Sequence, residues 1–205
     1  REAWAYLEAR LQAGDGSAHE FSVQQFISRA FTEAGLEFPD EAIVSVNAHA
    51  ADPHYGPSKD QSSPIRKGDW VLIDMWARPA ASGDLGVFSD ITWCGYCGSD
   101  VPAKAREVFD LVRQARDASL AASQRAWASQ TAIEGWQLDD AGRVILENCA
   151  HRAGIKHRTG HSLSPGALVH GIGMNLDNLE THDTRRMLAG TGFTIEPGLY
   201  LPTLE

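Results

Sequence analysis

Three carboxylates stand in stretches that are otherwise apolar. Asp74 lies in Val71-Leu72-Ile73-Asp74-Met75-Trp76, Asp90 in Val87-Phe88-Ser89-Asp90-Ile91-Thr92-Trp93, and Glu196 in Phe193-Thr194-Ile195-Glu196-Pro197-Gly198-Leu199. No Lys or Arg falls within three residues of any of them. Runs this apolar predict a buried backbone, and a carboxylate buried without a partner is strongly unfavourable. Distant arginines, or edge strands that leave the acids in water, would satisfy any one of the three. For all three together a cation among them is the simpler account, because Asp and Glu are among the residue types least often fully buried. His157-Arg158-Thr159-Gly160-His161 supplies imidazole. Its two histidines have no Glu between them, and Gly160 disfavours a helix interior, which excludes the helical zinc-protease motif. Carboxylates with an imidazole form a hard, oxygen-rich donor set, suited to Mn²⁺ and compatible with Zn²⁺, Co²⁺ or Fe²⁺. The lack of thiolates in that set argues against a structural zinc site. Carboxylates can also bridge two metals about 3.5–4 Å apart and offset their repulsion.

Such residues need elements to carry them. Arg1 to Ala13 reads as a short helix followed by the turn Gly14-Asp15-Gly16. Ser17-Ala18-His19-Glu20 has capping-box form, and Val23, Phe26, Ile27, Ala30, Phe31 and Ala34 then mark one face of a helix that Gly35 closes. Ala42 to Val46 is a short β-rich run, and Pro53, Gly56, Pro57 and Pro64 break the loop after it. Trp70 to Ala77 and Val87 to Trp93 are β-like, split by the turn-rich Pro79 to Asp84. The order then recurs. A long helix capped by Asp100 is expected to about Gln130, and a second spans Asp139 to Ala153 and stops at Gly154. A His/Gly/Pro-rich segment, His157 to Gly173, precedes further β-like residues at Phe193 to Ile195 and Leu199 to Leu201. Helix, helix, strands, twice over, predicts an α+β chain of two similar halves whose strands build one curved antiparallel sheet.

Composition narrows the function. With 205 residues, 43% hydrophobic and 22% charged, the chain reads as globular, and a net charge of −9 is the wrong sign for a nucleic-acid or anionic-membrane surface. No apolar run reaches the 18 or so residues of a membrane span, and Arg1 to Arg10 lacks the apolar core of a signal peptide. Three cysteines cannot all pair with one another, which favours a reducing, cytoplasmic setting. Cys94-Gly95-Tyr96-Cys97 is a lone CxxC, read as packed reduced thiols. Gly171-Ile172-Gly173 lacks the context of a dinucleotide site, and Trp76 and Trp93 are candidates to wall a cleft beside the acids.

Leu72-Ile73-Asp74, Ser89-Asp90-Ile91-Thr92, Thr159-Gly160-His161 and Thr194-Ile195-Glu196-Pro197-Gly198-Leu199-Tyr200 occur in that order. Together they resemble the metal-binding motifs of the pita-bread metallopeptidases, the family of methionine aminopeptidase, aminopeptidase P, prolidase and creatinase. The resemblance covers nearly the whole chain. It implies a pita-bread fold and one or two divalent metal ions (Mn, Zn, Co or Fe), with Asp74, Asp90, His161 and Glu196 as ligands. A fifth ligand would come from a Gly-x-Arg-x-Glu strand after the last motif. Glu205 is a poor substitute, lying nine positions after Glu196 without that context. The chain therefore reads as one pita-bread catalytic domain, 1–205, shortened at its N-terminal domain and its last strands. The two aspartates are 16 positions apart, which lengthens the hairpin between them relative to the family.

The implied reaction is hydrolysis of a peptide bond near the N-terminus by metal-activated water, with a pKa lowered to about 7. Glu196 would also receive or relay the proton. His54, in Asp52-Pro53-His54-Tyr55, and His170, in Val169-His170-Gly171, would act on the substrate as catalytic and binding residues; His182 is the rival to His170. The form of the motifs resembles the Xaa-Pro peptidases more than methionine aminopeptidase. A peptide is then the partner, no nucleic acid or membrane is expected, and a homodimer is the candidate assembly. The alternatives are a metal-free binding module and a creatinase-like hydrolase that uses histidine without metal.

Overall fold

The structure is a computed structural model that describes residues 1–203, so Glu205 lies outside the described residues. The chain divides into two compact units, Arg1–Val101 with the residues from Pro202, and Pro102–Leu201.

In the first unit, α1 (Glu2–Ala13) ends at Gly14, whose φ of 67° is left-handed, and α2 (Glu20–Glu33) ends just before Gly35 at φ 69°. The start of α2 differs from expectation. His19, not Ser17, is the N-cap, and its N–H is held by the Ser22 hydroxyl at 3.0 Å. Glu20 does not turn back to cap the helix; it is fully buried. Val23 and Ile27 on the expected face pack with Leu7, Val44, Val46, Val71 and Ile73 to form the core, and Phe26 stacks on Tyr6 at 4.3 Å.

Four antiparallel strands complete this unit: β1 (Leu36–Glu37), β2 (Ile43–Val46), β3 (Trp70–Pro79) and β4 (Ser89–Tyr96). β3 is central, pairing with β1 and β2 along one edge and with β4 along the other. The expected turn at 79–84 is a 3-10 stretch, Ala80–Leu85. It lengthens the hairpin without disturbing the ladder, which runs unbroken from Trp70↔Tyr96 to Ala77↔Ser89.

The second unit opens with α3 (Ala103–Ser129), capped by Pro102 rather than Asp100, and α4 (Gly135–Glu147). α4 begins and ends earlier than Asp139 to Ala153, because the Gln137 side chain caps the Glu134 N–H at 2.9 Å and the helix closes at Asn148. The helices approach closely at Gly142, where a Cβ would lie 2.6 Å from the Ala115 carbonyl oxygen. Leu138, Leu176, Met174 and Ala122 form the core. The strands here are short, β5 (Ser162–Leu163) and β6 (Gly192–Phe193), and Leu199–Leu201 is not a strand. Helix, helix and strands thus recur in order, but the ladders among the described residues form two sheets, of four and two strands. No described helix is long and apolar enough to cross a membrane.

Candidate functional site

β3 and β4 place two of the expected ligands on one surface. Asp74 is opposite Thr92, and Asp90 is opposite Trp76. Directly opposed residues share a face, as do residues two apart along a strand. Asp74, Trp76, Asp90 and Thr92 therefore all project from the same face, with the two aspartates as diagonal cross-strand neighbours, a spacing of about 7–8 Å or somewhat less. The Thr92 hydroxyl donates to Asp74 Oδ1 at 2.9 Å. Trp93 is opposite Ile73 and so belongs to the other face; of the two tryptophans only Trp76 accompanies the acids.

The expectation of full burial does not hold. Asp74, Asp90 and Glu196 are all half-buried. Strand alternation is the reason: Val71 and Ile73 take the buried face of β3 and leave Asp74 on the opposite one.

The second unit carries the other two expected ligands. Beyond β5 and β6, the Thr194 N–H donates to the His161 carbonyl at 2.8 Å, and the Glu196 N–H to the Thr159 carbonyl at 2.7 Å. These bonds keep the register of Ser162↔Phe193, so His161 opposes Thr194 and Glu196 is its diagonal neighbour. A threonine again intervenes, with Thr194 Oγ1 donating to Glu196 Oε1 at 2.6 Å. Gly160 is needed for this approach, since a Cβ there would stand 2.1 Å from the Thr194 carbonyl oxygen.

His161 is buried, and its Nδ1 lies 3.0 Å from the Ser162 carbonyl oxygen. A carbonyl only accepts, so Nδ1 carries the hydrogen and the neutral ring has its lone pair at Nε2. That nitrogen faces Glu196 Oε1 at 3.1 Å. Two lone-pair groups converge there, a contact that is favourable only with a proton or a metal cation to share. Burial pushes the Glu196 carboxyl up, but the His161 ring, once it carries a proton at Nε2 as well, and the Thr194 hydroxyl outweigh it and hold the group below the usual carboxylate range. Glu196 is thus an anion facing an imidazole, and this donor set fits a divalent cation.

The histidines separate by environment. The exposed His170 lays its ring 4.0 Å from that of His161. His182 instead packs at 4.9 Å on Trp136 and pairs its Nδ1 with Asn178 Oδ1 at 2.7 Å. His54 is exposed on the loop after β2, its N–H held by Asp52 Oδ1 at 2.9 Å. In the CxxC pair, burial pushes both thiols up to about 11, and neither forms a disulfide.

Four buried carboxylates, Glu20, Asp139, Asp177 and Asp183, escaped the sequence reading, and two of them bear on the site. Glu20 anchors the loop that bears His54. Asp139, fully buried, receives Arg143 at 2.6–2.8 Å, the Thr159 N–H at 3.0 Å and the Asn178 N–H at 2.7 Å, and so ties down the segment leading to His161. Glu20 opens α2, where an acid is ordinary, and Asp139 lies in the second turn of α4 beside a second aspartate; nothing local marks either as interior.

Known proteins resemble this chain in sequence and in fold. The chain is 28% identical over 165 residues to the Xaa-Pro dipeptidase of Lactobacillus helveticus, covering 79% of this chain and 38% of that protein. The crystal structure of prolidase from Thermococcus sibiricus superposes with a TM-score of 0.71 at 25% identity, covering 98% of this chain and 50% of the other. That of dipeptidase PepE from Mycobacterium ulcerans does so with a TM-score of 0.73 at 25% identity, covering 98% and 48%. The chain spans about half the length of the curated relatives it matches. Its mixed helix and sheet architecture is that of the pita-bread prolidases. The family model for metallopeptidase family M24 matches residues 1–204, and the chain belongs to that family.

Proposed function

We propose that this chain is the catalytic part of a peptidase that hydrolyses the bond between an N-terminal residue and proline, with one or two divalent cations as cofactors. The observation that carries the reading is the convergence of His161 Nε2 on Glu196 Oε1 at 3.1 Å while His161 Nδ1 is committed to the Ser162 carbonyl. Asp74 and Asp90 on their shared strand face are the other two proposed ligands, by family position and by their diagonal pairing. When bound, such cations supply acidified water and polarise the scissile carbonyl.

The chain's own residues do the rest. Thr92 and Thr194 hold Asp74 and Glu196 with a hydroxyl hydrogen each, which orients the remaining lone pairs. Glu196 accepts a proton during water attack. His54, on its exposed loop, donates to the oxyanion or to the departing proline nitrogen, and His170 does the same beside His161. Preference for proline rests on the relatives, which include an Xaa-Pro dipeptidase and a prolidase. The half-buried free thiols accord with a cytoplasmic setting.

Elemental analysis of the purified chain after reconstitution with Mn²⁺, Zn²⁺, Co²⁺ or Fe²⁺, beside an Xaa-Pro dipeptide assay with and without chelator, tests this. We expect bound metal and chelator-sensitive turnover, with Asp90→Ala and His161→Ala each losing metal and activity together. A chain that binds none of the four ions would overturn the reading in favour of a metal-free binding module. Metal-dependent turnover retained in Asp90→Ala would refute the ligand assignment.

A further inference from the structure

We propose that Glu20 is the positioning residue for the His54 loop, an inference that rests on the reading of His54 as a substrate-facing group. Glu20 opens α2 and is fully buried. Its Oε1 accepts the Val46 N–H at 2.8 Å and lies 2.9 Å from His49 Nδ1; its Oε2 accepts the Tyr55 hydroxyl at 2.6 Å and the Ser63 N–H at 2.7 Å. Its own N–H donates to the Ser63 carbonyl at 3.1 Å. One carboxylate therefore grips residues 46–63 at the beginning, at the middle and at the end. His54 lies in the span between two of the gripped side chains, His49 and Tyr55, whose rings stack at 4.1 Å.

The other bonds of the loop are local turns at Asp52–Tyr55 and Ser58–Gln61, Asn47 held to Asp69 and Trp70, and the Ser62 hydroxyl accepting the Phe21 N–H. Beyond a short 3-10 turn at Asn47–Ala51, the loop holds Pro53, Gly56 and Pro57 and no strand pairing. Ordering a segment of this length costs backbone entropy at every residue, and Glu20 is the group that ties its beginning, middle and end to one buried point. Burial and the neighbouring carboxylate raise the Tyr55 phenol far above its ordinary value, so it remains a donor. A carboxylate is required rather than an amide: backbone N–H groups approach both oxygens, and glutamine would turn an NH₂ donor toward one of them. The place at the helix N-terminus supports the negative charge from the other side.

Hydrogen exchange of the full chain by mass spectrometry, in wild type, E20Q and Y55F, tests the claim, with Xaa-Pro hydrolysis by E20Q, H54A and the double variant alongside. In E20Q the amides of 47–63 should exchange at least about tenfold faster while those of β3 and β4 do not change, and Y55F should show a smaller effect confined to the region of His54. Metal content should stay at the wild-type level. Turnover should show kcat reduced about tenfold with KM little changed, and E20Q should add less than a twofold loss in the H54A background, because it acts through His54. Unchanged exchange across 47–63 in E20Q would overturn the proposal, as would a full multiplicative loss in the double variant, which marks a merely structural role. If E20Q does not fold, unchanged exchange around His54 in Y55F overturns it equally. Should no variant, wild type included, hydrolyse an Xaa-Pro peptide, the proposed function fails, and the exchange data alone decide the part played by Glu20.

Discussion

Asp139→Asn should destabilise the second unit more than any conservative surface change could. The carboxylate is fully buried and meets the Arg143 guanidinium, itself 5% exposed, through both oxygens, with two backbone N–H groups from Thr159 and Asn178 filling the remaining lone pairs. Asparagine keeps one acceptor oxygen, replaces the other with a donor aimed at donors, and leaves the guanidinium buried without its counter-charge. Breaking a buried pair by removing one partner costs about 3–5 kcal/mol. For a chain of this length that corresponds to a fall in Tm of roughly 6–20 °C. Urea titration followed by circular dichroism would read it as a lower midpoint at unchanged slope. A loss under about 1 kcal/mol would refute the reasoning, because it would show the pair to be solvated or replaceable, as surface pairs are. Arg143→Met offers a control: it removes the cation but leaves Asp139 holding Thr159 and Asn178, so the amides of 157–161 should stay more protected than in Asp139→Asn.

Gly160→Ala should force the His161 and Thr194 segments apart, since its Cβ would stand 2.1 Å from a backbone oxygen that cannot rotate away. We expect about 1–3 kcal/mol of destabilisation, and an unshifted Tm would contradict it. Asp177 and Asp183 are pushed up by burial, but for Asp177 the N–H groups of Leu179, Thr181 and Glu180 and the Thr181 hydroxyl outweigh this, and for Asp183 Arg185 and the Asn175 N–H do; both carboxyls sit below the usual carboxylate range. Their contribution to stability is therefore complete above the ordinary carboxylate pKa of about 4 and lost as pH falls through their lowered values. Thermal melts between pH 6 and the acid limit should show this decline, flattened in Asp177→Asn; a decline of equal steepness in that variant would exclude Asp177 as a contributor. Cys94 and Cys97, pushed up to about 11 by burial, should react with a thiol reagent at pH 8 roughly a hundredfold more slowly in the native chain than in urea. Equal rates would show that the thiols are open to solvent and ionised.

The residues proposed for the chemistry stand out by their surroundings in the chain. Asp74, Asp90 and Glu196 stand out because acids are rare in runs of β-branched and aromatic residues, and the Thr-Gly-His and Glu-Pro-Gly motifs carry their own spacing. The inference of complete burial failed for a local reason: an apolar run does not say which of its two faces is covered, and the acids took the less covered one. Helix ends moved where a side chain several positions away decided the cap. Gln137 brought the start of α4 forward, and Ser22 shifted the cap of α2 from Ser17 to His19.

The sequence by itself determined the kinds of groups present, their order, and the alternation that sets each on a strand face, because side-chain type and period-two geometry are local properties of the chain. Tertiary structure alone decided which groups meet. Register across β3 and β4 made Asp74 and Asp90 diagonal neighbours despite 16 intervening steps, and the ladder through Thr194 did the same for His161 and Glu196. It also took Glu20, at the start of α2, and Asp139, in the second turn of α4, into the interior, where their lone pairs gather backbone N–H groups from distant segments. Hydrogen bonds between residues dozens of positions apart depend on how loops close over the core, and no periodicity in the chain encodes that.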